Sequence, residues 1–151
     1  MPALLVCYLG VVIADRATKL WALATLSPGR SVPLMPFLDA TLVFNRGAAF
    51  GMGAGLTPIL IGIRLLVALG VFWAARSISG IGRLGAASLG LIGGGALGNL
   101  IDHFAYGHVV DFLDLGWFPV FNIADCGIVI GGIMLAAIVL LSERASGRAH
   151  G

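Results

Sequence analysis

The chain has 151 residues, 59% of them from the hydrophobic set and 11% charged, whereas a soluble globular domain carries roughly 25% Asp, Glu, Lys and Arg; a water-soluble fold is excluded. Mean hydropathy is +1.03, and the length suits one small polytopic membrane domain over residues 1–151, with no room for a separate soluble catalytic domain. Nine basic and seven acidic residues give a formal charge of +2 without a basic cluster, which removes nucleic acid as a partner.

Four apolar segments follow in chain order, each able to span as a helix: Ala3 to Leu26, Leu56 to Ala75, Leu84 to Ile101 and Val120 to Leu141. The expected fold is an all-α membrane protein of four transmembrane helices. The first segment has no basic residue ahead of its apolar stretch and runs on into Asp15, Arg16 and Trp21, so it reads as a retained span rather than a secretory leader. The long loop after it begins with Pro28, Pro33 and Pro36. Its stretch Asp39-Ala40-Thr41-Leu42-Val43-Phe44 is β-branched and aromatic enough to form a small sheet-like platform at the membrane surface. In the third span Ala86, Gly90, Gly94, Gly98 and Asp102 recur every four residues, a stripe that lets a neighbouring helix backbone approach closely. Cys7 and Cys126 lie in different apolar segments without a metal-ligand or redox spacing, and read as packing residues. For orientation, Arg76, Arg83, Arg144 and Arg148 fall on one side and Arg16, Lys19, Arg30 and Arg46 toward the other, a tie by bare count.

Ionisable groups in a span cost about 2.5 to 3.5 kcal/mol each near its centre by insertion scales, so every one calls for an account. Here they gather at one end: Asp15, Thr18 and Lys19 at the exit of the first span, Asn45 just before the second, Asn99, Asp102 and His103 closing the third, Asp111 in the next loop, Asn122 and Asp125 opening the fourth. Alternating helix directions bring all of them to the same membrane face. Asn99, Asp102 and His103 share one helix face, and Asn122 and Asp125 another. Asp15 and Lys19, at i and i+4 in the favourable order, read as a structural ion pair; Asp39 and Asp114 read as solvated loop charges.

No Ser stands beside a base in these stretches and no HExxH is present, so serine and zinc peptidase chemistry have no support. Carboxylates remain. Two Asp side chains in a poorly hydrated site share one proton, one activating water while the other protonates the leaving group. Asp111, in a loop able to fold back, and Asp125, inside a helix, are the candidates. The residues alone leave other readings open: Asp125 as a carboxylate facing the helix dipole, a small proton- or ion-coupled transporter using intramembrane carboxylates, or an assembly protein held by small-residue contacts.

Five motifs in order then resemble those of the lipoprotein signal peptidase, or signal peptidase II, family. Asp15-Arg16-Ala17-Thr18-Lys19 is similar to its Asp-x-x-Thr-Lys motif and Asn45-Arg46-Gly47-Ala48-Ala49-Phe50 to Asn-x-Gly-Ala-Ala-Phe. Gly94-Gly95-Ala96-Leu97-Gly98-Asn99-Leu100-Ile101-Asp102 is similar to Gly-Gly-x-x-Gly-Asn-x-x-Asp, and Gly107 to Phe112 and Phe121 to Asp125 to the segments carrying the two catalytic Asp residues. The resemblance implies an aspartic endopeptidase of the bacterial cytoplasmic (inner) membrane that cleaves a prolipoprotein before a diacylglyceryl-modified cysteine. It further implies both termini in the cytoplasm, an active site and platform at the extracytoplasmic leaflet, and no metal or other cofactor. The expected partners are the lipidated substrate and membrane lipid, with the enzyme a monomer. Asp111 and Asp125 would be the dyad, with Asn45, Asn99, Asp102, His103 and Asn122 binding substrate or orienting it. Two positions depart from the family pattern: His103 stands where Arg is usual, and Arg16 where Gln is usual.

Overall fold

The computed structural model describes residues 1–46, 57–77 and 82–148. Residues 47–50 of the Asn45–Phe50 motif, the expected start of the second span at Leu56, and most of the connection before Arg83 lie outside the described residues. Among those described, the elements are α1 (Pro2–Thr25), β1 (Ser31–Met35), β2 (Leu38–Asn45), α2 (Thr57–Ser77), α3 (Gly82–Tyr106), β3 (Val109–Asp114) and α4 (Ile123–Arg148). The molecule is mostly helical with a small antiparallel sheet. Three stretches, Thr57–Ser77, Gly82–Tyr106 and Ile123–Ser142, are long and apolar enough to cross a membrane; α1 is as long but carries Asp15, Arg16 and Lys19.

α3 is the hub, packed by α1, α2 and α4, whereas among the described residues the backbones of α2 and α4 stay more than 8 Å apart. Glycine on two faces of α3 allows this. A Cβ at Gly90 or Gly94 would collide with the backbone carbonyls of Leu4 and Tyr8, and one at Gly98 would come within 2.7 Å of Asp15 Oδ2, so the four-residue stripe is the seat of α1. A Cβ at Gly95, on the face toward α4, would strike the Ala124 carbonyl and approach Ile128 Cγ1 to 2.8 Å. Gly95→Ala is therefore expected to cost about 1–3 kcal/mol, because backbone rather than a mobile side chain must yield. Gly132→Ala, where nothing lies within 4 Å, should change thermal stability by less than about 1 kcal/mol in either direction. Thermal unfolding in detergent compares the two; an equal effect would remove the close approach of α4 as the reason for Gly95.

The sheet has the order β1-β2-β3, all antiparallel. Its first two strands are the expected platform. The third corrects the sequence reading, which left residues 102–119 as a loop: α3 continues to Tyr106, and Gly107, at φ 73° with its N–H donating to the His103 carbonyl, turns the chain back into β3. Val109, Val110, Asp111 and Phe112 are all buried, so the strand lacks the alternation that marks a half-buried strand. Asp39 and Asp114, expected in loops, are cross-strand partners. Ala22 of α1 and Leu26 just after it pack with Ala40, Leu42, Val110 and Phe112, which fastens the sheet to the end of the bundle where the polar residues collect.

Candidate active site

The fourth helix opens at Ile123 rather than Val120, because Asn122 caps it. Asn122 Oδ1 accepts the Asp125 N–H at 2.9 Å, and Asp125 Oδ2 accepts the Asn122 N–H at 3.2 Å. This is a reciprocal capping arrangement that satisfies two orphan donors. Asp15 Oδ1 from α1 accepts a third, the Ala124 N–H, at 2.9 Å. Asp125 is thus the third residue of α4, fixed by backbone geometry on its own helix.

Asp111 reaches the same place from β3. Its Oδ1 accepts from Asn122 Nδ2 at 2.6 Å and its Oδ2 from Asn45 Nδ2 at 3.0 Å. Asn99 Nδ2 donates to Asp125 Oδ1 at 2.8 Å. The direction of that bond is set elsewhere. Lys19 Nζ, which can only donate, gives a hydrogen bond to Asn99 Oδ1 at 3.0 Å, which leaves the Asn99 amide nitrogen for Asp125. Lys19 is fully buried and lies 2.8 Å from both Asp15 Oδ2 and Asp102 Oδ2, so the expected Asp15–Lys19 pair is part of a larger charge cluster. Asp102 Oδ2 also accepts the Val110 N–H of β3 at 3.0 Å, and its Oδ1 pairs with Arg16. Arg16, one of the two departures from the family pattern, thereby neutralises Asp102 and reaches the Tyr106 hydroxyl at 3.2 Å.

Asp111 and Asp125 line one cavity of about 590 Å³, walled by Arg64 of α2, by Leu115, Trp117 and Phe118 ahead of α4, and by Val129 and Ile130 of α4. A second cavity of about 360 Å³ shares Asn45 and Asp111 with it and runs along β2 past Arg46. Among the described residues no group of three His, Cys, Asp or Glu side chains converges as metal ligands would. The sequence reading brought Asp111, Asp125, Asn45, Asn99, Asp102 and Asn122 together, and they meet. His103 does not join them: it is buried, and neither ring nitrogen has a hydrogen-bond partner. Arg64 was given no part, although a lone charge in an otherwise apolar span was its signal.

Burial pushes the Asp111 carboxyl up from 3.8 to about 6; the hydrogen bond from Asn45 opposes this, and the charge of Asp125 adds to it. The folded protein thus binds this proton more tightly than the unfolded chain does. The associated stability is fully present below about pH 4 and is lost as pH rises through about 6, a change of about 3 kcal/mol. Thermal unfolding followed from pH 4 to 7 should decline over that window in the wild type and be flatter in Asp111→Asn. Parallel curves would assign the titration to another group.

A helical molecule with membrane-length apolar helices, a three-stranded sheet over one end and two carboxyl groups facing a shared cavity defines a class of small membrane enzyme. Two solved bacterial membrane enzymes share this fold. Both are 31% identical to the chain, one at a TM-score of 0.85 covering 93% of this chain and 94% of that one, the other at 0.86 covering 97% and 92%. The sequence model of the family described as signal peptidase (SPase) II matches residues 7–141. The chain is similar to the lipoprotein signal peptidases of Syntrophomonas wolfei (47% identity, 93% of this chain and 95% of the relative), Moorella thermoacetica (43%, 98% and 99%) and Rhodococcus jostii (43%, 94% and 75%). The chain belongs to the signal peptidase II family, and is a protease of bacterial membranes that processes lipoproteins. The transport reading finds no support in these relatives.

Proposed function

We propose that the chain is an aspartic endopeptidase that cuts a diacylglyceryl-modified prolipoprotein just before its lipidated cysteine, with Asp111 and Asp125 as the catalytic pair. One observation carries the reading: carboxylates from a strand and a helix face one cavity and are held by the same residue, Asn122, whose Nδ2 donates to Asp111 Oδ1 and whose backbone N–H donates to Asp125 Oδ2. Burial, which pushes the Asp111 carboxyl up, suits it to be the proton donor, and Asp125 acts as the base. Asp125 takes a proton from water as its oxygen attacks the scissile carbonyl, and Asp111 gives its proton to the departing nitrogen. Asn45, Asn99 and Asn122 hold the pair in position, and Asp102 anchors β3. His103 is buried and lines neither cavity, so no substrate contact is assigned to it.

All four helices span the bilayer as a single polytopic domain, and the enzyme works as a monomer. Arg16 and Lys19 are consumed in ion pairs within the bundle, which supports leaving them out of the loop charges. Arg76 and Arg83, with Arg144 and Arg148, then outnumber Arg30 and Arg46, which favours cytoplasmic termini and an active site at the extracytoplasmic leaflet of the inner membrane. The wide spacing of the α2 and α4 backbones favours entry of a lipid-tethered substrate from the bilayer. Purified protein incubated with a diacylglyceryl-modified prolipoprotein is expected to release the signal peptide, and to leave the unlipidated precursor uncut. Cleavage of both at equal rates would remove the lipid from the reading.

A further inference from the structure

Arg64 is the eighth residue of α2, roughly 10 Å along the helix from its start. A helical side chain leans toward its own N-terminus, and a long one extends its head toward the interface. Both effects carry the guanidinium to the end of the bundle that holds the carboxylates. It lines the same cavity as Asp111 and Asp125. Its Nη1 is buried without a hydrogen-bond partner, and no carboxylate lies within ion-pair distance of it among the described residues.

A cation inside a span normally finds an acceptor, and a buried donor without one is costly. Among the described residues Arg64 has neither a carboxylate nor a carbonyl, and it shares a cavity with the two groups that surround the scissile bond. Arg16 and Lys19, by contrast, are spent on Asp102, Asp15 and Asn99. The missing acceptor belongs to what fills the cavity. The strand being cut must pass between the carboxylate pair and the α2 wall, and a peptide backbone lacks charge but offers carbonyl oxygens.

We infer that Arg64 is a substrate-contact residue whose guanidinium donates to a backbone carbonyl of the prolipoprotein segment held against Asp111 and Asp125. This rests on the peptidase reading above. The contact completes itself only when substrate is present. It also makes Arg64 a residue that lowers the stability of the empty enzyme.

The test uses the full-length protein in detergent and a fluorescent prolipoprotein peptide carrying S-diacylglyceryl cysteine. Binding is measured in an Asp125→Asn background, with Arg64 intact or changed to Gln, Leu or Lys. Loss of a charged hydrogen bond should weaken binding by about tenfold to a hundredfold in the Gln and Leu proteins, with partial recovery in Lys. Arg64→Leu, which removes an unpaired buried charge, is expected to raise the unfolding temperature while binding falls. In the active background the loss should enter through KM more than kcat. An ether-linked probe without ester carbonyls should show the same loss. Unchanged affinity in the Gln protein would overturn the assignment, as would a loss confined to the ester-linked probe or a lower unfolding temperature in the Leu protein. Continued cleavage by Asp125→Asn would count against the carboxylate pair, and the binding comparison would still report on Arg64.

Discussion

Changing Asp125 to Asn is expected to lower signal-peptide release by about 10³-fold, and Asp111→Asn should do the same, because each removes one half of a proton relay. Neither change should unfold the protein. In the wild type both oxygens of Asp125 accept hydrogen bonds, from Asn99 and from the Asn122 N–H. An Asn there can accept only one, and turns its amide toward the other donor at a cost of about 1–2 kcal/mol. Asp111, between Asn122 and Asn45, faces the same arithmetic. Release of signal peptide from a diacylglyceryl-modified prolipoprotein, with unfolding temperature recorded on the same samples, separates chemistry from stability. A variant that keeps a tenth of the wild-type rate would exclude its residue from the pair.

The meeting of these residues was legible because it follows from a single rule: polar groups that cluster near alternate ends of successive apolar segments return to one face. The α3 stripe was legible for a similar reason, since glycine every four residues is one helix face, and α1 lies on it through Leu4 and Tyr8. β3 was harder. Val109-Val110-Asp111-Phe112 is buried continuously, so it carries no period of two, and its partner strand β2 lies more than sixty residues upstream. Asp111 consequently read as a loop residue although a sheet holds it. The start of α4 at Ile123 was available in principle, because Asn122 and Asp125 have the spacing of a capping pair; the apolar run Val120-Phe121 hid it. Arg64 illustrates a different limit. Sequence exposes the unpaired charge, but only the fold reveals that a cavity, rather than a closely packed helix, lies in front of it.

Lys19→Met tests whether the site depends on the cluster behind it. Lys19 is the sole cation near Asp15 among the described residues and shares Asp102 with Arg16. Removing it leaves the Asp15 carboxylate buried and uncompensated, a change that costs about 3–5 kcal/mol in buried pairs. It also removes the charged one of the two donors to Asn99 Oδ1, so that only Asn122 Nδ2 still holds the Asn99 amide toward Asp125. Unfolding temperature and cleavage rate should therefore fall together. Adding Asp15→Asn should recover stability, since the amide oxygen can still accept the Ala124 N–H and no lone charge remains; activity should stay below wild type, because Asn99 Oδ1 keeps only the neutral donor Asn122. Recovery of both would reduce Lys19 to a counter-ion, and recovery of neither would mean that α1 no longer seats on α3 without it.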